Sequence, residues 1–215
     1  MTPHNGIEIF SGLEELIHPQ RTALLVYDMQ VGIVPQIKGG AEILNNVRTL
    51  LQAARAAHIP TIFTRHMSLP LNLMGAFQYR MAMAWQRKQN PAEVTSPFLR
   101  DSPGFPIVPE LQPLPTEAVF DKLAMSAFEG TPLQFALRDL GIRSLILAGI
   151  ALEIGIEPTC RHAADLGIIP ILVHDACGAG DQTAADQSIA TLKHMGDTTL
   201  TDLATVTGLL NTLAS

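Results

Sequence analysis

Apolar residues along this chain fall into short runs with polar or glycine-proline punctuation between them. Ala23-Leu24-Leu25-Val26-Tyr27 is closed by Asp28 and predicts a central strand. From Glu42 to His58 the spacing becomes helical, with Ile43, Val47, Leu50, Leu51 and Ala54 on one face. Pro60 stops that helix, and Thr61-Ile62-Phe63-Thr64 predicts the next strand. Val119-Phe120 predicts a third. Thr131-Pro132 reads as an N-cap followed by a first-turn proline, opening a helix that runs to Leu140 and ends at Gly141. Ser144 to Ala148 predicts a fourth strand, Pro158 to Leu166 a helix, and Ile168 to Val173 a fifth strand. Pro170 is an awkward residue for a strand with neighbours on both sides. A helix from Thr183 to Met195, a strand at Thr198-Thr199-Leu200 and a helix from Ala204 to Leu213 follow.

Strand and helix alternate through this pattern. That order predicts an α/β fold: a three-layer, Rossmann-like, doubly wound parallel sheet of about six strands. Residues 1–215 are expected to form one domain. The segment from about 67 to 115 breaks the alternation. It holds Met74, Met81, Met83, Trp85 and several prolines, with one helix predicted from Leu73 to Lys88. It is too long for an ordinary connection and predicts a lid or an oligomerisation surface. Its methionines are expected to pack in a core or interface rather than line a pocket.

Composition narrows the function classes. Apolar residues make up 47% and charged ones only 16%, which suits a sheet covered on both faces. A net charge of −6 without a basic run argues against nucleic acid as a partner. Only 5% of residues are aromatic, so stacking platforms are not expected. The first residues lack a signal-peptide pattern and no apolar run reaches transmembrane length, so no membrane partner and a cytoplasmic location are expected. Cys160 and Cys177 do not make a disulfide framework and are expected to be reduced.

Ligands of open α/β sheets bind outside the carboxyl ends of the strands. Asp28 ends the first strand, Lys122 follows the third, and Gly155 lies in the turn after the fourth. Each has an ordinary reading: a turn cap, a solvated lysine, a glycine kept for its backbone. Their convergence on one cleft makes them candidates for chemistry.

Thr22 to Gln30, with Asp28 inside it, resembles the opening strand of the isochorismatase-like hydrolases, a superfamily that includes nicotinamidases and N-carbamoylsarcosine amidohydrolases. Lys122-Leu-Ala-Met-Ser126-Ala127-Phe128, Leu147-Ala-Gly-Ile-Ala151 and His174-Asp175-Ala176-Cys177 resemble further segments in the same order. The resemblance implies a catalytic Asp, Lys and Cys, with an oxyanion hole beside a non-proline cis peptide. Asp28 and Lys122 match, and the cis peptide is expected at Ile150–Ala151. The cysteine position is Gly155. Cys160 lies five residues on, about 7.5 Å along a helix, and is not a substitute.

The resemblance therefore implies acid–base chemistry without a covalent thiol step. Asp28 is expected to donate the proton, Lys122 to orient it or bind a substrate carboxylate, and Gly155 to leave room. Gln30 and His66 are expected to contact substrate. Vinyl-ether hydrolysis of the isochorismate type is the leading reaction, on a small carboxylate-bearing substrate. Arg65, Arg80, Arg87 and Arg161 are available as cationic partners. The alternatives are a catalytically silent ligand-binding or assembly module, and a weak amidase using water. The stretch Gly32 to Ala57 has no histidine, so the nicotinamidase metal set is not matched, and neither metal nor cofactor is expected. A homo-oligomer, dimer or tetramer, is implied.

Overall fold

The computed structural model describes residues 2–214. A six-stranded parallel sheet organises the chain. Its strands are β3 (Thr22–Tyr27), β4 (Thr61–His66), β5 (Ala118–Lys122), β6 (Ser144–Ile150), β7 (Ile169–Gly178) and β8 (Thr199–Thr201), in the order β5-β4-β3-β6-β7-β8. The order reverses at β3, the switch point where open α/β sheets bind ligands. Before the sheet come a small hairpin, β1 (Thr2–His4) with β2 (Ile7–Ile9), and a short helix α1 (Leu13–Leu16). Neither has enough apolar periodicity to be predicted.

All six residues of β3 are buried, and they face alternately. Leu24 and Val26 pack in one core with Val47, Leu50, Leu51 and Ala54 of α2 (Gly40–Ala56) and Val206 and Leu210 of α7 (Leu203–Ala214). Ala23, Leu25 and Tyr27 pack in a second core. There they meet α4 (Leu133–Asp139), α5 (Glu157–Asp165) and α6 (Gln182–Met195) through Leu133, Leu137, Cys160, Ala163, Ala185 and Leu192. The predicted three layers follow from this alternation.

Element boundaries move by a few residues from those predicted. Pro132, not Thr131, is the N-cap of α4; the Thr131 hydroxyl accepts from the Leu133 N–H at 3.2 Å from one residue before the cap. Pro170 is accommodated because it pairs with Leu145 of β6, whereas the β8 ladder begins only opposite Ile171. Its missing N–H therefore faces the side where no partner strand has yet begun. The turn after β6 is a π-helical segment, Leu152–Ile156, running straight into α5.

The segment after β4 holds a single α-helix, α3 (Ala76–Gln86), shorter than predicted and with no buried residue. Asn90 caps the turn that follows, accepting from the Ala92 N–H. The segment is tied back at Gln30, which bridges to Ile107. No helix among the described residues is long and apolar enough to cross a membrane.

Candidate active site

Strand register assembles the site. His66 lies beside Lys122 on adjacent β4 and β5, and Tyr27 lies beside Gly149 on β3 and β6. Asp28 follows Tyr27, and Ile150 ends β6. Four neighbouring strands thus deliver these groups to one edge of the sheet, as the sequence predicts.

Asp28 and Lys122 form a buried ion pair, Oδ2 to Nζ 2.7 Å. Thr64 completes the carboxylate's shell: its hydroxyl donates to Asp28 Oδ1 at 2.7 Å and accepts from the Asp28 N–H at 3.3 Å. Lys122 also donates to the Ala124 carbonyl at 3.3 Å, and its ammonium stands 4.2 Å from the centre of the Tyr27 ring. Asp28 has φ of 46°, a left-handed conformation that Asp tolerates better than most residues. Burying two charges costs several kcal/mol for each ion, and the pairing returns this only partly. A buried pair at a strand end beside a cavity is where chemistry is expected.

That cavity has a volume of about 650 Å³ and is bordered by Asp28, Lys122, His66, Ile150, Ala151 and Gly155. The Ile150–Ala151 peptide is cis, as the resemblance implies. The far wall comes from the segment after β4, through Met74, Met81, Trp85, Arg87 and Phe98. Met74 and Met81 thus line the pocket. Neither packs in the core of the sheet, and α3 buries no residue.

His66 sits edge-on to Trp85 and Phe98, each ring centre 5.7 Å away. Burial lowers its pKa to about 4; Asp28 raises it and Lys122 lowers it further. The folded protein therefore binds this proton less readily than the unfolded chain. Stability is complete above about pH 6.5 and falls as pH drops toward 4, by at most about 3 kcal/mol. Thermal melts across that range should show the loss, and His66→Gln should flatten it. A wild-type slope unchanged in the variant would reject the assignment.

Gln30 is placed differently from its predicted role. Its Nε2 donates to the carbonyls of His66 at 3.0 Å and Phe105 at 2.8 Å, and its Oε1 accepts from the His66 N–H at 2.6 Å. Fully engaged with backbone and absent from the cavity wall, it clamps the β4 end to the following segment. Of the four arginines considered, only Arg87 lines the cavity. Arg65 pairs with Asp121 at 2.7 Å, Arg161 pairs with Glu157, and Arg80 is exposed away from the lining.

Gly155 borders the cavity, but the expected room above it is absent. A Cβ built on Gly155 would overlap the hydroxyl and Cζ of Tyr27 and stand 2.7 Å from Cε1. The sequence conceals this because Tyr27 reads as one more apolar residue of a strand. Thr64 is missed because a β-branched threonine reads as an ordinary strand residue.

Both cysteines are buried, free and absent from the cavity lining. Burial raises the Cys160 thiol well above its usual range and the Cys177 thiol to about 12. Cys177 Sγ lies 3.3 Å from the Val173 carbonyl. The neighbouring Asp175 accepts from the Leu203 N–H and so starts α7. The Ser126-Ala127-Phe128 segment docks on α5: Ser126 Oγ lies 2.9 Å from His162 Nδ1, and the Ala127 N–H donates to Thr159 at 3.0 Å. Among the described residues, no group of three or more His, Cys, Asp or Glu is placed to hold a metal ion.

Comparison with known proteins agrees with this architecture. Residues 22–204 match the isochorismatase domain family model. The chain is 30% identical over 173 residues to the ureidoacrylate amidohydrolase RutB of Enterobacter sp. (strain 638), an alignment spanning 74% of this chain and 75% of that protein. A cysteine hydrolase from Pseudomonas syringae pv. phaseolicola 1448A superposes with a TM-score of 0.76 at 27% identity, covering 92% of this chain and 96% of that one. The N-carbamoylsarcosine amidase of Thermoplasma acidophilum shares the fold, with a TM-score of 0.68 at 21% identity over 85% of this chain and 96% of that one. Sequence match, sheet order and the cis peptide at the end of β6 agree: this chain belongs to the isochorismatase domain family.

Proposed function

We propose that this protein is a hydrolase of a small metabolite that works through Asp28 and Lys122 without a covalent thiol intermediate. The observation that carries the reading is the buried Asp28–Lys122 pair on the floor of a cavity of about 650 Å³. A purely structural pair would be packed over, so the open space beside it favours a ligand-facing role over a silent assembly module. Gly155, and the burial of both thiols away from the cavity, support a non-covalent route.

The favoured target is a carbonyl carbon–nitrogen bond. The relative named ureidoacrylate amidohydrolase motivates this, and the cationic inventory agrees. A substrate with two carboxylates, as in the isochorismate type, wants two free cations, whereas Arg87 is alone among the four arginines in reaching the wall. In this reading a water attacks the carbonyl carbon and Asp28 takes its proton. Main-chain N–H groups at Ala151 and the opening helical turn, left without intrahelical acceptors, receive the oxyanion. Asp28 then returns the proton to the departing nitrogen, while Lys122 holds the carboxylate in place. The segment carrying α3 acts as a lid that keeps water ordered over the pair.

The test is ammonia release from a panel of amide, ureido and carbamoyl acids, run beside pyruvate release from a vinyl ether. Turnover on the first group should survive in a Cys160→Ala/Cys177→Ala variant that melts near the wild type. Loss of turnover in a folded thiol-free variant, or vinyl-ether cleavage alone, overturns the reading.

A further inference from the structure

We propose that Tyr27 occupies the space of a residue-155 side chain and, from there, positions Lys122 against Asp28. The catalytic part of this inference rests on the reading of Asp28 and Lys122 as the reacting pair.

Alternation along β3 turns Tyr27 toward the face covered by α5 and the π-helical turn before it, which carries Gly155. Its ring is buried among Leu25, Leu147, Leu152 and Ile156. The hydroxyl donates to the Met125 carbonyl, so the ring is held at both ends. It is therefore not a flexible tip that could swing aside for a Cβ at position 155. Residue 155 is glycine because the phenol is there, and the phenol fits because residue 155 is glycine.

The same ring offers its face to the Lys122 ammonium at 4.2 Å. Around that ammonium stand Asp28 from β3, the Ala124 carbonyl, and the Tyr27 face; His66 from β4 is close enough to act through its field. When Asp28 holds a proton during turnover, the ammonium loses its counter-charge. The ring face remains, and a desolvated cation over an aromatic face is held appreciably. Burial, with Asp28 adding to it, keeps the phenol itself neutral. It acts as a hydroxyl and a ring rather than as a phenolate nucleophile.

Two sets of variants test this. Tyr27→Leu removes the ring and should lower kcat about tenfold to thirtyfold with little change in KM. Tyr27→Phe keeps the ring face and should restore most of that loss. Equal kcat in the Leu and Phe variants overturns the positioning role, as does a crystal structure of Tyr27→Leu with Lys122 still seated on Asp28.

The space claim is read without turnover. Gly155→Cys alone should melt well below the wild type, and adding Tyr27→Val should raise its melting temperature. In the double variant the thiol introduced at position 155 should be alkylated by iodoacetamide, with the buried Cys160 and Cys177 as internal controls. A single Gly155→Cys variant that melts like wild type and labels as fast as the double variant overturns the claim. If no substrate is turned over, the proposed function fails on its own. The inference is then decided by labelling, melting and the position of Lys122.

Discussion

Asp28→Asn should lower turnover by about 10²- to 10⁴-fold, the range that a general acid–base group contributes. That is about 3–5 kcal/mol of transition-state stabilisation. The amide keeps the size of the carboxylate; with its single oxygen turned to Lys122 it still accepts there, while its Nδ2 donates to the Thr64 hydroxyl. It cannot take a proton from water. It also leaves the Lys122 ammonium without its counter-charge, so the variant should fold with a lowered melting temperature while losing the reaction. The check is kcat beside a thermal melt and a circular dichroism spectrum. A variant within tenfold of wild-type turnover would remove Asp28 from the mechanism.

Lys122→Met should produce the largest loss of stability. The methionine follows the path of the lysine stem but leaves the Asp28 carboxylate buried without a counter-ion. Breaking a buried pair from one side costs about 3–5 kcal/mol, which for a chain of this size lowers Tm by roughly 6–20 °C. Adding Asp28→Asn removes the stranded charge, so the double variant should be more stable than Lys122→Met alone. That pattern is the signature of coupling in a double-mutant cycle. If Lys122→Met melted within about 2 °C of wild type, the pair would not be desolvated and its claim to a reactive role would weaken.

The contrast between Gly155 and Tyr27 shows how legibility was distributed. A glycine where relatives of this fold are expected to place a thiol is visible in one line of sequence. Read alone it suggests an emptier pocket. In the structure the volume is taken by a side chain 128 positions earlier in the chain. Gln30 fails in the opposite direction. Its place two residues after Asp28 suggests substrate contact, but its amide meets Phe105 and His66, carried there by a long irregular segment.

The sequence by itself determined the three layers and the parallel, doubly wound character of the sheet, while the strand order came from the structure. Each strand is an apolar run, each helix has one apolar face, and parallel strands joined by helices leave few ways to wind. It also determined that Asp28, Lys122, His66 and the Ile150–Ala151 peptide arrive at one edge, because all four sit at strand ends. Only the tertiary structure decided what surrounds them. Whether a cation is free or paired, whether a methionine lines a pocket, and which ring fills the space above a glycine depend on contacts between distant segments. Local patterns report the periodicity with which a segment is buried, and carry no information about the partner that buries it.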